Sequence, residues 1–103
     1  MVKIIWTHRS LLDLKSIAEY ISKDSTKYAS LTIEKIIDVT KHIENNPRIG
    51  RMVPEIGRND KIREIIVGNY RIIYNISTSV TAHILTVHHS SKRLRQTLLK
   101  RNK

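Results

Sequence analysis

Residues 61–76 read KIREIIVGNYRIIYNI, and the fold turns on how this stretch is read. Two β-rich runs, 61–67 and 70–76, flank Gly68-Asn69. A two-residue connection with glycine first suits a type II′ turn, whose twist matches that of the strands it joins, so the stretch predicts a β-hairpin. Along residues 70–76, Tyr70, Ile72, Tyr74 and Ile76 share one face and Arg71, Ile73 and Asn75 the other, because successive strand side chains point to opposite sides. The face carrying Arg71 is expected to look away from the helices and is the place to seek a site.

Toward the C-terminus, Ser77-Thr78-Ser79 predicts a further turn and residues 80–89 a third strand, adjacent in sequence and so paired in a meander. The remaining SSKRLRQTLLKRNK places Leu94 and Leu98 four apart behind Ser90 or Ser91 as a cap. A basic C-terminal helix or tail is expected, since a helix this short is marginal alone. Toward the N-terminus, PRIGRMVPEIGRND (47–60) holds both prolines and two of the three glycines and reads as a loop. Before it, Ala29, Ile33, Ile36, Thr40 and Ile43, widened by Ile37, trace the stripe of an amphipathic helix. Asn45-Asn46-Pro47 stops that helix, because proline cannot continue the backbone hydrogen bonding. Over residues 8–23 a second stripe, Leu11, Leu14, Ile17, Ala18 and Ile21, follows Thr7 as a cap, and Asp24-Ser25 separates the two helices and caps the later one. Helices joined so closely form an antiparallel hairpin. With a β-branched strand over residues 2–6, the order is β-α-α-β-β-β, an α+β fold in one domain spanning 1–103.

A chain of 103 residues is too short for two ordinary cores. Its charge narrows the possible partners. Lys and Arg number 19 against nine acids, a formal +10, and the excess is uneven: residues 65–103 hold seven cations and no acid. That field attracts polyanions, and its crowding toward the end favours a binding surface over scattered solubilising charge. Without cysteine there is neither a disulfide nor a thiolate metal site. His83 and His89 lie far apart along one strand with no carboxylate nearby in sequence, so no metal is expected, and no nucleotide or cofactor fingerprint appears. No apolar run reaches membrane-spanning length, and MVKIIWTHRS lacks the apolar stretch and cleavage site of a signal peptide. A soluble cytoplasmic protein without membrane contact is the expectation.

The order of elements and their punctuation resemble the toxins of the RelE/ParE superfamily, from Trp6 to about Arg95. The resemblance is carried by Trp6-Thr7; Asp13-Leu14, Ile17 and Tyr20-Ile21; Pro47, Gly50-Arg51 and Pro54-Glu55; Arg63-Glu64; Tyr70-Arg71-Ile72 with Tyr74; and Val87-His88. It implies a growth-inhibiting toxin of a type II toxin–antitoxin system, of the kind that serves plasmid stabilisation, held inactive by a cognate antitoxin. A disordered antitoxin segment that folds as it wraps the toxin suits the cationic surface, with the helical hairpin and the sheet edge as docking places. RelE-like members cleave mRNA on the ribosome, whereas ParE-like members inhibit DNA gyrase. GRMVPE, DLKSIAEYI and YRIIY lean toward ParE. The RelE branch places an arginine and a tyrosine near the end of the last strand and beyond. Arg93 or Arg95 can stand for the arginine, but no tyrosine follows Tyr74.

Two sets of site residues follow. If the chain cuts RNA, Arg71 and Arg63 can clamp the phosphate from adjacent strands, His88 or His89 can move the proton, and Lys61 can assist. Each arginine has a structural reading beside this one, an ion pair across the sheet with a residue such as Glu64 or Glu55. One of the two histidines should point inward and the other outward. If the chain acts on gyrase, Lys92, Arg93, Arg95, Lys100 and Arg101 form the contact region. In the 51–55 loop, Arg51 is expected to pair with Glu55. Trp6, Tyr70 and Tyr74 can in principle stack on bases; Trp6 and Tyr74 are read instead as core, and Tyr70, at the hairpin mouth, is left open between the two. A plain nucleic-acid-binding module, salt-sensitive and non-toxic, ranks last, because no groove-reading signature is visible.

Overall fold

The computed structural model describes residues 1–91. Its elements are β1 (Lys3–Trp6), α1 (His8–Ser22), α2 (Thr26–Asn45), β2 (Arg51–Met52), β3 (Ile62–Val67), β4 (Tyr70–Thr78) and β5 (Thr81–His89). The expected C-terminal helix or tail, with Lys92, Arg93, Arg95, Lys100 and Arg101, lies outside the described residues.

Both helix starts are made by the residues that sequence chemistry nominates. Thr7 Oγ1 accepts from the Ser10 amide at 3.2 Å, and Ser25 Oγ accepts from Tyr28 at 3.0 Å, each satisfying a donor the first helical turn leaves without a partner. Such caps are worth about 1 kcal/mol each. The Thr7 hydroxyl also donates to the Ile84 carbonyl at 2.7 Å, so the cap fastens α1 to β5. A second fastening follows nearly two turns later, where Asp13 Oδ2 accepts from Thr86 Oγ1 at 2.5 Å and from the Val87 amide at 3.0 Å.

The sheet runs β1-β5-β4-β3-β2, with β1 parallel to β5 and every other pair antiparallel. The meander of β3, β4 and β5 is the one expected, and Gly68 at φ +56° with no non-glycine residue at positive φ gives the II′ sign pattern at its first turn. Two details depart from expectation. Residues 77 and 78 continue β4 instead of turning, and the reversal falls at Ser79-Val80. The 47–60 loop contains a two-residue strand, β2, paired with Glu64 and Arg63, which its proline and glycine content hides. Gly50 admits this close approach: a Cβ there would stand 2.7 Å from both the Glu64 carbonyl oxygen and the Tyr74 hydroxyl.

The main core lies between the helices and the sheet, where Leu14, Ile36, Ile43, Ile72, Tyr74 and Ile84 are buried. Each fully buried aliphatic there contributes about 1.5–3 kcal/mol. A smaller core of Val53, Ile73 and Leu85, flanked by Ile56 and Ile62, occupies the opposite face. One irregularity in β5 serves both. Ile73 faces Thr86 and Tyr74 faces Ile84, which leaves Leu85 as an extra residue. Strict alternation would send Ile84 and Val87 to opposite faces, and the bulge lets both enter the main core while Leu85 enters the other. The face away from the helices is therefore largely closed, with residues 53–56 lying over it.

Candidate functional site

Arg71 stands on this second face, level with Ile66 on β3 and His88 on β5. It is 8% exposed. Its guanidinium grips Glu55 with two parallel bonds, Nη1 to Oε2 at 2.6 Å and Nη2 to Oε1 at 2.8 Å. Nε donates to Glu64 Oε1 at 2.7 Å, and Nη2 lies 2.6 Å from the same oxygen. Glu64 is 1% exposed, and its other oxygen accepts from Arg51 Nε at 2.7 Å. All three nitrogens of Arg71 thus face a carboxylate, and two cations neutralise the buried Glu64. This chain of pairs, Glu55–Arg71–Glu64–Arg51, pins residues 51–55 across the sheet. Arg51 is partnered with Glu64 and not with the expected Glu55, because Glu55 already meets Arg71 in the fork geometry that guanidinium and carboxylate share.

The network has an electrostatic signature. The hydrogen bonds from Arg71 hold the Glu55 carboxyl down from 4.5 to about 2, against the upward push of burial. Arg71 in turn is raised further above the ordinary arginine value, first by the hydrogen bond to Glu55. Since Glu55 has a lower value in the folded chain than when unfolded, its pairing stabilises the protein fully above about pH 5 and is lost as pH falls toward 2. Urea midpoints of the wild type should therefore fall more steeply between pH 5 and 2 than those of Glu55→Gln. Parallel slopes would assign the acid sensitivity elsewhere.

Arg63 and Arg71 do not converge. Arg63 shares its face of β3 with Ile65 and Val67, which belong to the helix-side core, whereas Arg71 lies on the opposite face. Arg63 Nε donates to the Asp60 carbonyl and Nη1 to the Gly50 carbonyl, both at 2.8 Å, so it staples the chain on either side of the loop. His88 shares the face of Arg71, and its Nε2 is buried with no hydrogen-bond partner among the described residues. His89 points the other way, edge-on to Tyr70 with ring centres 5.4 Å apart, and its Nδ1 accepts from the Ser91 amide at 3.1 Å. The two histidines alternate as expected. Lys61 is exposed, and its amide donates to Asn59 Oδ1 at 3.1 Å. Among the described residues no group of three or more His, Asp or Glu is placed to hold a metal ion, and no helix is long and apolar enough to cross a membrane.

Sequence reasoning places Arg71 on the right face and offers Glu64 or Glu55 as an ion-pair partner, but it does not find that both carboxylates hold one guanidinium at once. The signal is the presence of one acid in the loop and one on the neighbouring strand. Nothing in their spacing says that a two-residue strand brings them to one guanidinium.

Residues 4–94 match the family model described as "ParE toxin of type II toxin-antitoxin system, parDE". The chain is 34% identical over 98 residues to Y4kP of Sinorhizobium fredii (strain NBRC 101917 / NGR234), whose name describes it as a toxin, covering 93% of this chain and 96% of that protein. Its fold is similar to a solved structure titled "Chromosomal ParDE TA system from P. aeruginosa", at TM-score 0.69 and 16% identity over 86% of this chain and 96% of that one. The helical hairpin laid on a small, mostly antiparallel sheet is the α+β fold of that solved structure, and the family match sets the chain among the RelE/ParE superfamily of toxins. Within that class, the chain belongs to the ParE toxin family of type II toxin–antitoxin systems.

Proposed function

We propose that this toxin inhibits DNA gyrase by protein–protein contact and is neutralised by a cognate antitoxin of the ParD kind. One observation carries the preference for contact over RNA cleavage: every nitrogen of Arg71 is committed to Glu55 or Glu64 in a buried network. A phosphate could displace those carboxylates only by stranding a buried negative charge, at a cost of several kcal/mol. The chain also has no tyrosine after Tyr74, whose own hydroxyl is engaged inside the protein. The basic segment holding Lys92, Arg93, Arg95, Lys100 and Arg101 is the contact region this reading favours, and an acidic antitoxin suits the net charge.

Toxin freed of its antitoxin is expected to block supercoiling of relaxed plasmid by gyrase at micromolar concentration, and added antitoxin should restore it. Unchanged supercoiling would remove gyrase as the target. The RelE-like alternative, a ribosome-dependent mRNA endoribonuclease, keeps one point in its favour, the buried Nε2 of His88, which finds no partner among the described residues. Primer extension on translated mRNA after induction tests it, and the gyrase reading expects no new 5′ ends.

A further inference from the structure

The chain has only five aromatic side chains, Trp6 and four tyrosines. Three of those tyrosines come from separate elements to the end of the molecule marked by the Gly68-Asn69 turn: Tyr20 from α1, Tyr28 from α2 and Tyr70 from β4. Tyr70 is the ridge between two clefts. One, of about 270 Å³, is lined by Ile21, Tyr28, Leu31 and Lys35. The other, of about 530 Å³, is lined by Ile17, Tyr20, His89 and Ser91. Burial raises the Tyr70 hydroxyl, and Tyr28 and Tyr20 add to the rise. Tyr20 is 72% exposed, Tyr28 62% and Leu31 51%. Clustered apolar surface left this open contributes little to the fold and marks a place for a partner.

Charge indicates what kind of partner. The Lys23 ammonium sits 5.9 Å from the centre of the Tyr20 ring, and Lys35 lines the first cleft. Ser91 lines the second, and residues 92–103, which continue from it, carry six of the 19 Lys and Arg and no acid. We propose that this tyrosine face contacts the toxin's protein target, with apolar side chains of an acidic segment seated in the two clefts. The proposal rests on the reading that the toxin acts through protein contact. Tyrosine suits such a face because it buries a large area with few torsions to freeze and keeps a hydroxyl for hydrogen bonding. A nucleic-acid strand fits less well. Lys23 occupies one face of Tyr20, and Tyr70 meets His89 at 86°, so these rings offer no parallel platform for successive bases.

The test compares the double variant Tyr20→Ala/Tyr28→Ala, its two single variants and Tyr20→Phe/Tyr28→Phe. Both positions are exposed on helices, where alanine favours the helix, so unchanged circular dichroism is expected. Growth arrest on induction is read for each variant, and affinity for purified gyrase is measured by calorimetry on antitoxin-free protein. The alanine pair is expected to bind gyrase about tenfold more weakly or worse and to lose growth inhibition in step, while the phenylalanine pair recovers most of both. Should the alanine pair fail to fold, the single variants carry the comparison, each expected to show part of the loss. Full growth inhibition by folded alanine variants, or wild-type affinity for gyrase, overturns the proposal. So does a loss confined to binding of a single-stranded oligonucleotide, which would make the face a nucleic-acid surface. If wild-type toxin itself ignores gyrase, the target reading fails separately, and the growth phenotype of the variants still decides the role of the tyrosine face.

Discussion

Replacing Arg71 with alanine is expected to destabilise the fold by about 3–5 kcal/mol, because it leaves a buried carboxylate without its principal partner. Glu64 would keep only Arg51, whose side chain is 62% exposed, and Glu55 would lose both bonds that hold residues 51–55 over Ile73 and Leu85. In a domain of this size such a loss lowers the melting temperature by more than about 12 °C. Arg71→Lys should recover only part of it, since an ammonium is a point charge and cannot present a fork to Glu55 while reaching Glu64. The measurement separates two roles cleanly. A catalytic Arg71 predicts a variant that melts with the wild type, binds antitoxin and lacks toxicity. A variant that melts early, with toxicity lost in proportion to the folded fraction, is the outcome the network predicts.

Tyr74→Ala is expected to cost about 3–5 kcal/mol, the usual range for deleting a fully buried aromatic ring. Tyr74 is fully buried in the helix-side core, yet its hydroxyl donates to the Pro47 carbonyl at 2.5 Å and accepts from the Gly50 amide at 3.0 Å. One side chain thus supports the core and holds the start of the loop against the sheet. Tyr74→Phe isolates the second role: it keeps the ring but takes the hydroxyl from the buried Gly50 amide and the partly buried Pro47 carbonyl, at about 1–3 kcal/mol. Urea denaturation of the three proteins gives both figures. A phenylalanine variant as stable as the wild type would mean that the loop finds other partners and that the hydroxyl is dispensable. Because Gly50 precedes the Arg51–Glu64 pairing, Tyr74→Phe should also raise exchange of the Arg51 and Met52 amides.

Much of the fold is legible in the order of the residues. The stripes Leu14–Ile17–Ile21 and Ile33–Ile36–Ile43 can bury one face only as helices, the Thr7 and Ser25 caps mark where those helices start, and the Gly68-Asn69 pair admits the II′ hairpin. These are local facts, decided by residues within one turn or one strand of each other, and the inward direction of Tyr70, Ile72, Tyr74 and Ile76 follows from the same period. The family resemblance is legible for the same reason, since its motifs are those local punctuation marks. The two-residue β2 is not, because proline and glycine around it speak for a loop, and only the neighbouring β3 edge turns Arg51-Met52 into a strand.

Sequence by itself determined the element types apart from β2, the hairpin, the faces of β4 and the cationic character of the chain, since each depends on neighbours along the backbone. Tertiary structure decided the pairing of β1 beside β5, the bulge that places Leu85 in a second core, the partners of Arg71 and the meeting of Tyr20, Tyr28 and Tyr70. Those contacts join residues far apart in the chain, where no period or spacing acts, and their geometry exists only once the sheet has closed.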